Sequence, residues 1–100
     1  MSISELELRF PMAVAITMTD DMLSVALSDG RTIVVPLNWY PRLQHASPEE
    51  RKAYRLVGGG EGLHWPAIEE DISVEGLLAG RPSSETQLSL QRWIAGRRLA

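Results

Sequence analysis

Two short segments near the start of the chain alternate between apolar and small or polar residues, a third continues with apolar residues at the same spacing, and this pattern constrains the fold more than any other feature. Every second residue is apolar in residues 12–18, 23–27 and 33–37. The apolar residues are Met12, Val14, Ile16 and Met18, then Leu23, Val25 and Leu27, then Ile33, Val35 and Leu37. A period of two is typical of half-buried strands. Asp29-Gly30 suits a tight hairpin turn, so we predict a three-stranded antiparallel meander with one covered face.

Helices downstream are expected to cover that face. Ser47, Pro48 and Glu50 have the spacing of a capping box with proline at the first helical position, which predicts a helix over about 48–56 that Gly58 ends. The fold class predicted is therefore α+β, with short helices on a meander. The following run "GGGEG", residues 58–62, is interpreted as a flexible connector, since it lacks the lysine of a phosphate-binding loop.

The stretch "LHWPAI", residues 63–68, predicts a short strand with Leu63, Trp65 and Ala67 on one side, which Pro66 would restrict to a sheet edge. A short helix is predicted after it. Its N-cap is Asp71 or Ser73, its inward residues are Val74, Leu77 and Leu78, and Gly80 ends it.

A last helix is predicted to begin at a capping box on Ser84, to carry Leu90, Trp93 and Ile94 as one apolar stripe, and to end at Gly96. Residues 80–84, "GRPSS", combine a helix stop, a proline and a change of charge sign. We therefore predict an α+β domain over 1–80, followed by a C-terminal helix and basic tail over 81–100 as an appendage.

Composition and charge narrow the class of protein. The chain has no cysteine, which excludes disulfides and thiolate chemistry and favours the cytoplasm, and no apolar run reaches the roughly 20 residues of a membrane span. The acids at the N-terminus are unlike a signal peptide. Residues 1–80 hold six bases and twelve acids, whereas 81–100 hold four bases and one acid. Any nucleic-acid contact would therefore use the tail arginines, which are Arg81, Arg92, Arg97 and Arg98.

His64 and the acidic run Glu69, Glu70 and Asp71 form the candidate cluster for metal or acid/base chemistry. A metal needs ligands that converge, whereas adjacent side chains diverge in strands and helices alike. Acids before a helix also stabilise its N-terminus. We therefore interpret the run as the charged entrance to a helix and predict no metal, no cofactor and no catalysis, with a metal-dependent hydrolase as the less favoured alternative.

The aromatic residues Trp39, Tyr40, Tyr54 and Trp65 have two interpretations. An aromatic ring contributes more apolar area to a small core than any aliphatic side chain. Trp and Tyr are also enriched at interface hot spots, so a partly exposed pair would mark a contact surface. Likewise Leu90, Trp93 and Ile94 either pack back on the domain or lie in a partner's groove.

Residues 23–80 resemble a bacterial domain-of-unknown-function family, numbered 2442. The resemblance rests on the Asp-Gly turn and on three motifs: "WYPRL" at 39–43, "SPEERKAY" at 47–54 and "GEGLHWPAIEEDISVEGLL" at 60–78. Relatives commonly have aspartate at the position of Glu69. The resemblance implies a small α+β domain with a three-stranded antiparallel sheet and short helices, and it does not imply an enzyme. Members are often encoded beside a small basic protein and are regarded as antitoxin-type partners, and some carry a C-terminal helix-turn-helix.

Two functions follow as expectations. The first is a non-catalytic protein-binding module, antitoxin-like, that binds a small basic protein through its acidic body. Its predicted contacts are Trp39, Tyr40, Trp65, Glu69, Glu70 and Asp71. The second is a DNA-binding regulator acting through the basic C-terminal tail. Self-association through Leu90, Trp93 and Ile94 is a further expectation.

Overall fold

The computed structural model describes residues 11–99, and these residues form an α+β fold with two three-stranded antiparallel sheets. The first sheet is the predicted meander, with its strands in sequence order. Its strands are β1 (Ala13–Met18), β2 (Met22–Leu27) and β3 (Thr32–Pro36). The apolar side of β2 is buried, as predicted. Gly30 adopts a φ of 93° in the turn before β3, which an Asp-Gly pair tolerates.

The alternation predicted for β1 is wrong at its first residues. The register of β1 against β2 shifts between Ala13 and Ala15. An extra residue in one strand reverses the side to which the neighbouring side chains point. Ala13 is consequently buried and Val14 is 55% exposed, while Ile16 and Met18 pack against the core.

The second sheet lies in the half of the chain where the sequence predicted mainly helix. Its strands are β4 (Arg55–Val57), β5 (Gly62–Trp65) and β6 (Glu70–Ser73), again in sequence order. The predicted helix over 48–56 is therefore too long, because Arg55 begins to pair with β5 opposite His64. Strand β5 is central and not an edge strand, since Pro66 falls after its last residue.

The three glycines at 58–60 form the tight turn between β4 and β5 and are not a flexible connector. All three adopt positive φ angles, the last of them 118° at Gly60. The carbonyl oxygen of Gly60 accepts a hydrogen bond of 2.7 Å from the backbone N–H of Ala13. This contact joins the turn of the second sheet to the first strand of the first sheet.

Short helices connect and cover the sheets. After a 3-10 turn over Leu37–Trp39 come α1 (Pro41–Gln44), α2 (Pro48–Lys52), α3 (Val74–Leu78) and α4 (Gln87–Leu99). The capping box of α2 is confirmed, since the backbone N–H of Glu50 donates to Ser47 Oγ and the backbone N–H of Ser47 donates to Glu50 Oε1. The N-cap of α3 is Ser73.

The ends of α4 differ from the prediction. The backbone N–H of Ser89 donates to Thr86 Oγ1 at 3.1 Å, so Thr86 and not Ser84 caps the first turn. The helix also continues through Gly96 to Leu99. A single glycine inside a helix costs only about 1 kcal/mol relative to alanine, which one turn of additional contacts offsets.

One hydrophobic core is shared by both sheets and the short helices. Its fully buried large side chains are Leu23, Val25, Leu37, Leu43, Leu63, Trp65 and Ile68. Trp65 lies at its centre, where its indole N–H donates to the carbonyl oxygen of Arg51 at 3.0 Å. Within residues 11–99, no helix is long and apolar enough to cross a membrane.

Candidate functional site

Strand β6 places the two adjacent carboxylates Glu70 and Asp71 on opposite faces of the second sheet. Glu70 is opposite Trp65 in the register and is only 8% exposed, whereas the side chain of Asp71 is 77% exposed. Alternating direction along a strand explains the separation. Glu70 and Asp71 are therefore part of a strand, and the prediction that the acidic run is the entrance to a helix is wrong.

A cavity of about 320 Å³ lies beside Glu70. Tyr40, from the segment between β3 and α1, forms part of its wall, together with Ser73 and the segment that follows α3. Arg81 and Ser83 belong to that segment. The wall is predominantly polar, so the cavity suits a ligand that forms hydrogen bonds or carries charge.

Burial disfavours the ionised forms of the two buried polar residues of this wall, Glu70 and Tyr40. Burial raises the pKa of Glu70 to about 7, although the guanidinium of Arg42 acts in the opposite direction, and the negative charges of Glu85 and Asp71 add to the rise. Burial, followed by the charge of Glu70, raises the pKa of Tyr40. The Tyr40 hydroxyl has no hydrogen-bond partner among the described residues. An unsatisfied buried polar group costs about 1–3 kcal/mol, and such costs concentrate at functional sites.

On the outer face of the same sheet, His64 and Asp71 form a cross-strand pair. Nδ1 of His64 lies 2.6 Å from Oδ1 of Asp71. Glu69 lies in the preceding turn with a φ of 52° and is exposed, and Glu70 faces inward. The four residues of the predicted candidate cluster thus do not converge. Among residues 11–99, no group of three or more His, Asp or Glu side chains has the arrangement of a metal site.

An apolar groove of about 540 Å³ lies on the other side of the junction between β6 and α3. Val74 and Leu78 of α3 line it, and the carboxylates of Glu61 and Glu75 flank it. Ser73 lines both this groove and the Glu70 cavity, so the two are neighbours. Leu78 was predicted to pack inward but is 43% exposed, whereas Val74 and Leu77 of the same helix are buried.

The aromatic residues predicted as partner contacts lie mainly in the core. Trp65 is completely buried and Tyr40 is 3% exposed, so neither ring is available to a partner in the folded chain. Trp39 is half-buried and packs against the same core. Tyr54 lies beside Trp65, with 6.1 Å between the ring centroids. The core interpretation therefore describes these residues better, and exposed Glu69 and Asp71 are the predicted contacts that reach the surface.

The apolar stripe of α4 contacts the chain's own domain. Leu90 is buried, Ile94 is half-buried and Trp93 packs against the core. The guanidinium groups of Arg42 and Arg97 lie over the Trp93 ring, at 5.2 and 4.5 Å from its centroid. Self-association through this stripe stays a prediction.

The tail arginines that were predicted to contact nucleic acid have carboxylate neighbours. Arg97 donates to Glu50, and Arg81 lies 3.8 Å from Glu75. Arg92 is exposed. The side chain of Arg98 lies outside the described residues. DNA binding through this tail also stays a prediction.

Comparisons with known proteins identify relatives by sequence and by structure. A family model described as "Protein of unknown function (DUF2442)" matches residues 13–83. A crystal structure of a protein of unknown function from Rhodospirillum rubrum is similar, with 29% identity, a TM-score of 0.64 and coverage of 78% of this chain and 96% of that one. A solution structure of an uncharacterised protein from Chromobacterium violaceum shares the fold, with 23% identity, a TM-score of 0.66 and coverage of 95% and 84%. No curated protein sequence matches the chain.

Proposed function

The chain belongs to the DUF2442 family of proteins of unknown function, and we propose that it is a non-catalytic protein-binding module for a basic partner protein. The observation that carries the proposal is the apolar groove beside α3 with its two flanking carboxylates. Leu78 is 43% exposed at this groove, and Glu61 and Glu75 are exposed beside it. An apolar floor with charged margins is the form of surface that accepts an amphipathic segment.

The charge around the groove sets the kind of partner. The surface near the β6–α3 junction carries Glu61, Asp71 and Glu75; His64 is hydrogen-bonded to Asp71, and Arg81 is the cationic neighbour of Glu75. Carboxylates at the margin of an interface attract a basic partner during diffusion and repel an acidic one. A partner segment with apolar residues on one side and Lys or Arg on the other can pack on the apolar floor of the groove and pair with the carboxylates at its margin.

The biological setting proposed is the bacterial cytoplasm, where the module masks a small basic protein in the manner of an antitoxin. The lack of cysteine supports a reducing compartment. An acidic body suits a partner of opposite charge. Within the described residues no group of catalytic side chains converges, which is compatible with a protein that masks its partner by binding alone.

Two exposed leucines provide the test. Leu78 lies in the groove, and Leu88 of α4 is 56% exposed away from it. The chain and its variants Leu78→Asp and Leu88→Asp are used to capture partners from the native host, and the complex is then measured with purified components by calorimetry. We expect a stoichiometric basic partner whose affinity falls at least tenfold with Leu78→Asp and stays within twofold with Leu88→Asp.

Salt dependence gives a second readout. The affinity should weaken as salt rises from 50 to 500 mM, since exposed charges are screened within about 10 Å at 0.1 M salt. Recovery of no stoichiometric partner, or equal affinity of the two leucine variants, would contradict the proposal.

A further inference from the structure

The cavity beside Glu70 contains polar groups that the groove does not use. Glu70 and Tyr40 are both more than nine-tenths buried, and both line the cavity. The Tyr40 hydroxyl is unpaired among the described residues, and no described residue donates a hydrogen bond to the Glu70 carboxyl. Buried polar groups in native proteins are nearly always hydrogen-bonded, so the unpaired Tyr40 hydroxyl beside a Glu70 carboxyl that lacks a donor indicates a binding site.

The charged groups around the cavity determine whether its ligand is a cation or an anion. Glu70 and Arg81 contribute the charged side chains of the wall, one carboxylate and one guanidinium, whereas the Asp71 carboxylate points to the opposite face of the sheet. The Arg81 side chain is 64% exposed and lies 3.8 Å from Glu75, while Asp71 is paired with His64. Glu70 is therefore the carboxylate of this wall that has no described ionic partner in direct contact.

Arg42 lies near Glu70 but does not neutralise it. The hydrogen bonds of its guanidinium go to the carboxylate of Glu85 and, at 3.0 Å, to the carbonyl oxygen of Ile68. Its effect on Glu70 is through space and is outweighed by burial and by the charges of Glu85 and Asp71. A cation that enters the cavity would supply the hydrogen-bond donors that Glu70 lacks.

We propose that this cavity is a binding site for a guanidinium or primary ammonium group, with the Glu70 carboxylate as its ion-pair acceptor and Tyr40 as the adjoining wall. A volume of about 320 Å³ lies at the lower end of the roughly 300–1,000 Å³ typical of ligand pockets. An anion would face the buried carboxylate of Glu70. A divalent metal would need several converging oxygen ligands, whereas Asp71 points to the opposite face of the sheet.

The cation has two possible sources, a free small molecule or a lysine or arginine side chain of the partner. The second source rests on the proposed function, because it needs a basic partner bound at the neighbouring groove. Both sources present the same chemistry to Glu70, and the experiment separates them.

The first arm uses methylguanidinium chloride and the purified chain. The variants are Glu70→Gln, which keeps the shape of the side chain and removes its charge, and Glu49→Gln as a matched control on the exposed surface of α2. Backbone amide shifts are followed by NMR, and circular dichroism confirms that each variant is folded. We expect saturable shifts around β6 at pH 8 in the wild type and in Glu49→Gln, and at least tenfold weaker binding in Glu70→Gln.

The affinity should also depend on pH. Ionised Glu70 binds the cation and protonated Glu70 does not, so wild-type affinity should fall about tenfold between pH 8 and pH 6. The Glu70→Gln variant should show no such change, which assigns the pH dependence to Glu70 and not to the neighbouring residue His64.

The second arm uses the complex with the basic partner. If free methylguanidinium does not bind, while Glu70→Gln weakens the partner at least tenfold and Glu49→Gln does not, the cation is a partner side chain. If Glu70→Gln changes neither methylguanidinium binding nor partner affinity, the proposal is overturned. Leu78→Asp should weaken partner binding at least tenfold yet leave methylguanidinium binding unchanged, so failure of the groove and failure of the cavity are distinguishable. If no partner is recovered, the methylguanidinium arm alone decides.

Discussion

Arg97 donates two hydrogen bonds to the carboxylate of Glu50, at 2.9 and 2.6 Å, although 47 residues separate them in the sequence. The same carboxylate accepts from the backbone N–H of Ser47 and closes the capping box of α2. One side chain thus stabilises the start of a short helix and also fixes the position of the C-terminal helix. The contribution of Glu50 to stability should therefore exceed that of an ordinary surface acid.

Glu50→Gln should lower the free energy of unfolding by about 1 kcal/mol at pH 7, since the pair is partly exposed and exposed ion pairs contribute little more than that. Arg97 holds the pKa of Glu50 at about 2, below its ordinary 4.5. The stabilisation is therefore complete above pH 4.5 and is lost as the pH falls towards 2. Urea unfolding at pH 7 and pH 3 measures this, with Glu49→Gln as control. Equal stability of the two variants at pH 7 would contradict the prediction.

Glu70 should have the opposite pH dependence. Its pKa in the folded chain is raised to about 7 from 4.5, so protonation of Glu70 favours folding. The contribution of Glu70 to stability is therefore greatest below pH 4.5 and is lost as the pH rises through 7. We expect the wild type to lose about 1–3 kcal/mol between pH 5 and pH 8 relative to Glu70→Gln. Urea unfolding of both proteins across this range gives the difference. Parallel pH profiles would show that Glu70 is not the group responsible.

Gly60 and Gly59 make a matched pair within one turn. Both have positive φ angles, but a Cβ at Gly60 would lie 2.5 Å from the carbonyl oxygen of Ala13, while a Cβ at Gly59 has no atom within 4 Å. Gly59→Ala should cost about 1 kcal/mol of backbone strain. Gly60→Ala should lower the free energy of unfolding by about 3 kcal/mol or more, because the backbone of Ala13 would have to move away from the new Cβ. Thermal unfolding distinguishes them, and equal melting temperatures would argue against the close approach.

Trp65→Phe should destabilise the fold by about 2 kcal/mol, because it leaves a void in the core and removes the hydrogen bond to the Arg51 carbonyl. Trp39→Phe, at a half-buried position, should cost less than about 1 kcal/mol. Denaturant midpoints compare the two. If Trp39→Phe were the more damaging substitution, the central place of Trp65 in the core would be wrong.

Features determined by near neighbours in sequence were predictable. The alternation of Leu23, Val25 and Leu27, the Asp29-Gly30 turn and the capping box at Ser47 each depend on contacts within a few residues. In the second sheet, the central strand β5 was predicted within residues 63–68, but its partners β4 and β6 were missed for the converse reason. Strand β4 has three residues, all exposed, directly after a helix, and only pairing with β5 makes them a strand.

The candidate site was partly predictable. Glu70 was identified within the acidic run, but its burial depends on the alternation of β6, in which Glu70 and Ile72 face the core. The alternation of Glu70 and Ile72 with Asp71 and Ser73 could have predicted a strand, but Ser73 suggested the start of a helix instead. No local signal links Tyr40 to Glu70, since they are 30 residues apart and are brought together by the docking of the two sheets.

The hydrogen bond between the Ala13 amide and the Gly60 carbonyl has a consequence for how unfolding can be observed. Within residues 11–99, the other backbone pairings of the strands lie within one sheet or the other. The Ala13 amide, in contrast, is protected only while the two sheets are docked. Its hydrogen-exchange rate therefore reports whether the sheets separate as two units before either one melts, or unfold together in one cooperative event.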